Sequence, residues 1–151
     1  MPKPIVILPF QPENQDEVKN LVETGLGEHW GLLDSTKNLD LNDISTTYAN
    51  DIFLVAWEGN KIVGTGALVH YSEDIGEIVR MSVVKEMRRK GVGRLILQQL
   101  IEQARMLGHR RIILETTNTW HEVIEFYQRY GFQITHYRDG DVYFEMNLPD
   151  A

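Results

Sequence analysis

No cysteine occurs in the 151 residues. Disulfide frameworks, cysteine zinc sites, thiol nucleophiles and iron–sulfur ligation are therefore excluded together, and stability has to come from packing. No apolar run approaches the about 20 residues that a membrane span needs, and Ile5 to Leu8 is cut off at once by Pro9. No charged-then-apolar leader precedes it, so a soluble cytoplasmic protein with no membrane partner is expected. Repeats, low-complexity tracts and linkers are also missing. Basic residues are the minority: 15 Lys and Arg face 22 Asp and Glu, a net charge of −7, which argues against a nucleic-acid coat or a binder of anionic membranes. What is present is globular in proportion, with 42% apolar, 25% charged and 9% aromatic residues. One domain over residues 1–151 is expected, burying roughly 68–70% of the unfolded chain's surface.

Along the chain, Ile5 to Leu8 predicts a strand that Pro9 and Pro12 end, after which Asn14 or Asp16 would cap a helix through Val18, Leu21, Val22 and Gly25. Residues 27–50 predict a loop with short helical turns, one of them over Leu41 to Tyr48. Ile52 to Glu58 and Lys61 to Tyr71 flank Gly59-Asn60 as a hairpin, with Gly64 and Gly66 thinning the second strand, and Glu77 to Val84 returns antiparallel to it. The period then changes. Val92, Leu95, Ile96, Leu100, Ala104 and Leu107 recur at helical spacing, and Gly108 stands where a helix C-terminus favours glycine. Ile112 to Leu114 follows as a buried strand, parallel to Glu77 to Val84 by the βαβ rule. Thr119 would cap a helix from about Trp120 to Tyr130, closed by Gly131, before a hairpin turning at Asp139-Gly140.

Five of the fifteen basic residues, Lys85, Arg88, Arg89, Lys90 and Arg94, fall within ten positions, offset by the single acid Glu86. Gly91 and Gly93 lie among them at a strand-to-helix junction, where free N–H groups and the helix dipole attract an anion that glycine allows close to the backbone. A solvated helix start behind a turn is the other reading of these residues. The remaining motifs fail on spacing. A dinucleotide fingerprint would need glycine or alanine at Ile96, and the Walker-like pair Gly59 and Gly64 is followed by Thr65 instead of lysine. His121-Glu122 is not a zinc helix, because Glu125 takes the place of the second histidine, and no metal is implied. Ser82 has no adjacent base to activate it.

Arg88-Arg89-Lys90-Gly91-Val92-Gly93 follows a strand ending Met81-Ser82-Val83-Val84; Ile112 to Leu114 is the next strand; Phe126-Tyr127-Gln128-Arg129-Tyr130-Gly131-Phe132 lies on the helix after it. In this order and spacing, over about residues 43 to 137, the chain resembles the GNAT superfamily of N-acetyltransferases. The first segment is similar to that family's Arg/Gln-x-x-Gly-x-Gly/Ala pyrophosphate loop and the last to its Phe-Tyr-x-x-x-Gly-Phe helix. Many members carry an asparagine seven residues before that tyrosine, where this chain has Trp120, with Asn118 two positions earlier.

The resemblance implies an α/β fold, a mixed, twisted central sheet of six or seven strands with helices on both faces. It implies acetyl-CoA as co-substrate, its pyrophosphate held by the loop Arg88, Arg89, Lys90, Gly91, Val92, Gly93 and Arg94. The strand of Met81, Ser82 and Val83 would diverge there from its parallel neighbour and pair its free N–H and C=O groups with the pantetheine arm, which would also meet Asn118. Charge reversal at Arg88 or Arg89, or a side chain at Gly91, is then expected to weaken CoA binding without disturbing the fold. Tyr127 becomes the general acid for the leaving thiolate. Glu77, fourteen positions before Gly91, becomes the base for the attacking amine, with Glu115 as a second carboxylate. The acceptor would be a primary amine of a small molecule or peptide, acetylated directly in a ternary complex, and a homodimer is left open. His29, Trp30, Asp34, Asp40, Asp43 and Tyr48 offer acidic and aromatic groups near the expected acceptor side, none with an assigned role. A catalytically silent acyl-CoA-binding or regulatory module is the alternative.

Overall fold

Strand β2 (Ile52–Glu58) reads as an unbroken apolar run because both of its faces are covered: Phe53 and Val55 join one core layer, Leu54 and Ala56 the other. The computed structural model describes residues 3–30 and 38–149. β1 (Ile5–Pro9) lies antiparallel to β2, and β3 (Lys61–Ser72) returns from β2 through a turn in which Gly59 has φ of +61°. β4 (Ile75–Val83) pairs antiparallel with β3. Helix α3 (Val92–Met106) then crosses over, and β5 (Arg111–Thr117) runs parallel to β4. Helix α4 (His121–Tyr130) leads into the hairpin of β6 (Gln133–Arg138) and β7 (Asp141–Asn147), in which β7 inserts beside β5. The sheet has seven strands in the order β1-β2-β3-β4-β5-β7-β6.

Helices α1 (Gln15–Trp30) and α2 (Ile44–Thr47) cover one face with a layer built on Val18, Leu21, Val22, Leu41 and Ile44. Helices α3 and α4 cover the other. The helical spacing of Val92, Ile96, Leu97, Leu100 and Ala104 puts all five on the buried side of α3, and each larger member contributes about 1.5–3 kcal/mol. Both helices end in the same way. His109 N–H donates to Ala104 C=O and Gly108 N–H to Arg105 C=O; Phe132 N–H donates to Tyr127 C=O and Gly131 N–H to Gln128 C=O. Gly108 and Gly131 carry the positive φ, +87° and +126°, that this stop requires.

Several boundaries differ from the sequence reading. Asn14 accepts the N–H of Gln11 within a 3-10 turn (Pro12–Asn14) instead of capping α1. The expected turn over 41–48 is two pieces, a 3-10 turn (Leu39–Asn42) and α2, whose cap Asp43 takes the N–H and hydroxyl of Thr46. β5 extends past Leu114 to Thr117 because β7 pairs along its whole length. Trp120, not Thr119, precedes α4.

Candidate active site

Strands β4 and β5 share three rungs, Ile75↔Arg111, Gly76↔Ile112 and Glu77↔Ile113, and then part. β4 continues on β3 to Val83, and β5 on β7 to Thr117. A cavity of about 870 Å³ runs into the opening. It is bounded by residues 78–83 of β4, by Val22, Gly25 and Leu26 of α1, by the loop before α3, and by Glu115, Thr116 and the inner side of α4. From Ile78 onward the β5-facing edge of β4 has no strand partner among the described residues.

A bulge shapes this wall. Between the pairs Thr65↔Ser82 and Ala67↔Val79, β3 advances two residues while β4 advances three, and Arg80 takes φ of +57°. The hydroxyl of fully buried Thr65 donates to the Arg80 carbonyl at 2.8 Å. Gly66 makes room, since a Cβ there would stand 2.6 Å from Ile96 Cγ2 and 2.7 Å from Met81 Sδ. Gly64 and Gly66 thus serve packing against α3 and the bulge. The guanidinium of Arg80 forks onto Asp40, Nε to Oδ2 at 2.8 Å and Nη2 to Oδ1 at 2.6 Å, and Tyr48 donates to the same carboxylate at 2.6 Å. Burial pushes the Asp40 carboxyl up, yet the bonds from Arg80 and Tyr48 and the charge of Arg80 hold it below the usual range.

The basic loop lies at one end of the cavity. Gly91, with φ of +87°, precedes α3, and the first intrahelical acceptor is its own carbonyl, taken by Leu95 N–H at 3.1 Å. Helix geometry therefore leaves the N–H groups of Val92, Gly93 and Arg94 without intrahelical acceptors. The basic side chains are less alike than their spacing suggests. Arg88 turns toward α1, donating Nε–H to Val83 C=O at 3.1 Å and forking onto Glu28 at 3.1 and 3.2 Å. Arg89 pairs with Glu122 at 2.6 Å, both 80% exposed. Arg94 lies over the Tyr130 ring, 5.7 Å from its centroid. Lys90 is exposed and Val92 is buried; neither lines the cavity.

Tyr127 reaches the cavity from α4, packed among Phe126, Phe132 and Phe144 with centroids 5.2 to 5.8 Å away. Its ring is 6% exposed, and burial pushes its phenol well above the ordinary value, so the hydroxyl stays protonated. Glu77 occupies the last shared rung at the apex of the opening, half-buried and outside the cavity lining. Burial, then the charge of Glu115, push its carboxyl up. Glu115 stands opposite Tyr143, whose ring stacks on His136 at 4.4 Å. Met81, Ser82 and Val83 line the cavity. Asn118 does not: it is exposed, its N–H on Gly140 C=O, and Trp120 lines the wall instead. Of the acceptor-side groups, Asp34 and the side chains of His29 and Trp30 lie outside the described residues. Asp40 is spent on Arg80, Tyr48 on Asp40, and Asp43 on its cap. Sequence reasoning missed Arg80 and Tyr143, whose partners lie far along the chain.

Among the described residues no group of three or more His, Asp or Glu is placed to hold a metal ion, and no helix is long and apolar enough to cross a membrane. Residues 16–132 match the acetyltransferase (GNAT) family. The IAA acetyltransferase of Azospirillum brasilense is 33% identical over 131 residues, 85% of each chain. The uncharacterized N-acetyltransferase YsnE of Bacillus subtilis is 37% identical over 83 residues, and the match spans 55% of that protein and 54% of this one. In fold, an acetyltransferase of the GNAT family from Staphylococcus aureus superposes with a TM-score of 0.88 at 21% identity, covering 97% of this chain and 100% of that one. The PaiA N-acetyltransferase of Thermoplasma acidophilum, solved in complex with coenzyme A, gives 0.84 at 18% identity over 96% and 99%. By the family match and the relatives that share it, the chain belongs to the acetyltransferase (GNAT) family.

Proposed function

We propose that the protein transfers an acetyl group from acetyl-CoA to a primary amine of a small molecule or peptide, directly and without an acyl-enzyme. The observation that carries this reading is the parting of β4 and β5 beyond Glu77 and Ile113, with an anion-binding helix start at one end of the opening and Tyr127 in its wall. An unpaired strand edge suits an amide-bearing arm, and the free N–H groups of α3 suit its diphosphate. The complexes of two fold neighbours, one with coenzyme A and one with acetyl-CoA, support that choice of ligand.

Acetyl-CoA supplies the thioester whose carbonyl carbon the amine attacks as the C–S bond breaks. On the protein side, the residues 88–94 loop binds and orients through its backbone, and the free edge of Met81 and Ser82 holds the arm. The Tyr127 hydroxyl, protonated at neutral pH, stabilises the departing thiolate by donating to it a hydrogen bond or its proton, which solvent returns before the next turnover. Glu77 takes the proton that the amine loses, directly or across one water, and its raised basicity suits the task. The protein acts as one domain and without a metal. A silent acyl-CoA-binding module would keep the loop; the protonated hydroxyl of Tyr127 at the cavity favours the enzyme. Calorimetric titration with acetyl-CoA beside CoA release over polyamines, amino acids, aminoglycosides and peptides tests this. Binding with turnover on an amine supports transfer, binding without turnover on any amine supports the module, and no binding overturns both.

A further inference from the structure

Arg80 is the residue of β4 that the strand holds at positive φ, an uncommon and strained state for a residue with a side chain. Two restraints hold it here. The Thr65 hydroxyl holds its carbonyl, and Asp40 grips its guanidinium through two parallel N–H···O bonds, with Asn38 Oδ1 accepting a third from Nη2 at 3.0 Å. Charge-assisted, bidentate geometry is the strong form of such a bond. The side chains are only 18% and 23% exposed, so solvent screens the pair little. Asp40 is also a fixed post. Next to it Leu41 is fully buried, as is Ile44, and the Gln15 side chain bonds Leu41 C=O at 2.7 Å and Ile44 N–H at 3.0 Å.

The grip acts at one place in the strand. The bulge turns the β4 backbone between Val79 and Ser82, the stretch that β5 has already left and that borders the cavity. The loop of residues 88–91 makes no hydrogen bond to Arg80 or Asp40 among the described residues; it meets β4 at Val83, past the bulge, where Arg88 Nε–H donates to the carbonyl at 3.1 Å.

We propose that Arg80 is a positioning residue. Clamped by Asp40, it fixes the bulge of β4 and thereby the grip on the amide-bearing arm of the acyl carrier, while the phosphate loop binds independently of it. This rests on the acetyl-CoA reading above. A merely structural ion pair would, when lost, weaken every ligand of the cleft alike; a positioning clamp weakens the arm alone.

Two variants separate these. Asp40→Asn keeps shape and removes the charge; Arg80→Gly removes the clamp while leaving a residue at ease with positive φ, which guards against simple misfolding. In the ligand-free full chain, hydrogen exchange of amides 79–83 is expected to speed up about tenfold in both variants, with α3 unchanged. Coenzyme A affinity is expected to fall about tenfold while ADP, the probe of the loop alone, stays within about twofold. Unchanged exchange at 79–83, or equal loss of coenzyme A and ADP, overturns the clamp. A wild-type chain that binds no coenzyme A instead overturns the acetyl-CoA reading, and the clamp is then decided by the exchange measurement, in which no ligand takes part.

Discussion

Phe132 is joined to Tyr127 twice: its N–H donates to the Tyr127 carbonyl at 3.0 Å, and its ring meets the tyrosine ring edge-on with centroids 5.8 Å apart. The residue that stops α4 therefore also fixes the angle at which the phenol enters the cavity. Gly131, at φ of +126°, is the residue that lets the chain double back between them. The spacing Tyr-x-x-x-Gly-Phe is thus a helix stop as well as a sequence signature, and it gives the side chain a defined place at no expense to the site's openness.

Tyr127→Phe should lower turnover on the order of 10²-fold while leaving coenzyme A affinity unchanged, because a general acid acts in the transition state and not in binding. The ring contacts with Phe126, Phe132 and Phe144 survive the substitution, so thermal stability should stay within about 0.5 kcal/mol. Steady-state kinetics beside calorimetry reads both. Equal loss of turnover and affinity would assign Tyr127 to packing alone.

Glu77→Gln should act in opposite directions on activity and stability. Burial and Glu115 raise the folded-state value of this carboxyl above its ordinary 4.5. The fold therefore disfavours the carboxylate: the associated stability is fully present below the ordinary value and is lost as pH rises through the raised one. The variant should be the more stable protein at neutral pH, with the difference shrinking to nothing in acid. Its kcat should drop on the order of 10²-fold, and the acid limb of the wild-type kcat/KM profile, shifted up toward neutrality, should vanish. Persistence of that limb in Glu77→Gln would move the base role elsewhere, Glu115 being the neighbouring carboxylate.

What could be read from the sequence was whatever contiguous residues encode. The basic glycine loop needs adjacent N–H groups, α3 needs one apolar stripe, and the Gly131-Phe132 stop needs neighbours; each is a local pattern and each is present, although Leu95 and Leu107, which the spacing puts in the stripe, are 39% and 62% exposed and Leu97 is buried instead. The parting of β4 from β5 is not local, since it depends on where pairing between Glu77 and Ile113 ceases, and it is expected only through the family resemblance. The clamp on Arg80 joins residues 40 positions apart. Arg80 lies in a strand that also carries Glu77 and Ser82, and nothing near it in sequence announces Asp40. Gly64 and Gly66 were visible as a weakness in β3 but not as the space that the bulge and Ile96 fill. The helix starts failed for a related reason: Asn14 and Thr119 are good caps in isolation, and tertiary placement of the preceding chain gave one a turn to close and the other no role as a cap.

Arg88, Arg89 and Gly91 should separate into three behaviours although they stand within four positions. Arg89→Glu loses only a pair with Glu122 that is 80% exposed on both sides, so stability should move by less than about 1 kcal/mol. Its effect should fall on anion binding: weaker coenzyme A affinity, with a difference from wild type that narrows as salt rises. Arg88→Glu sets a carboxylate against Glu28 and strips the Val83 carbonyl of its Nε–H donor. Loss of that charge-assisted bond costs about 1.5–3 kcal/mol, so this reversal should lower Tm as well as affinity. Gly91→Ala should lower Tm by another route. A Cβ there meets nothing within 4 Å, yet the φ of +87° strains any side chain, costing roughly 1–2 kcal/mol at the start of α3. Thermal unfolding of the three variants, repeated with coenzyme A at low and high salt, checks the order. An Arg88→Glu protein as stable as Arg89→Glu would show that the fork on Glu28 contributes nothing to holding α1 against the loop.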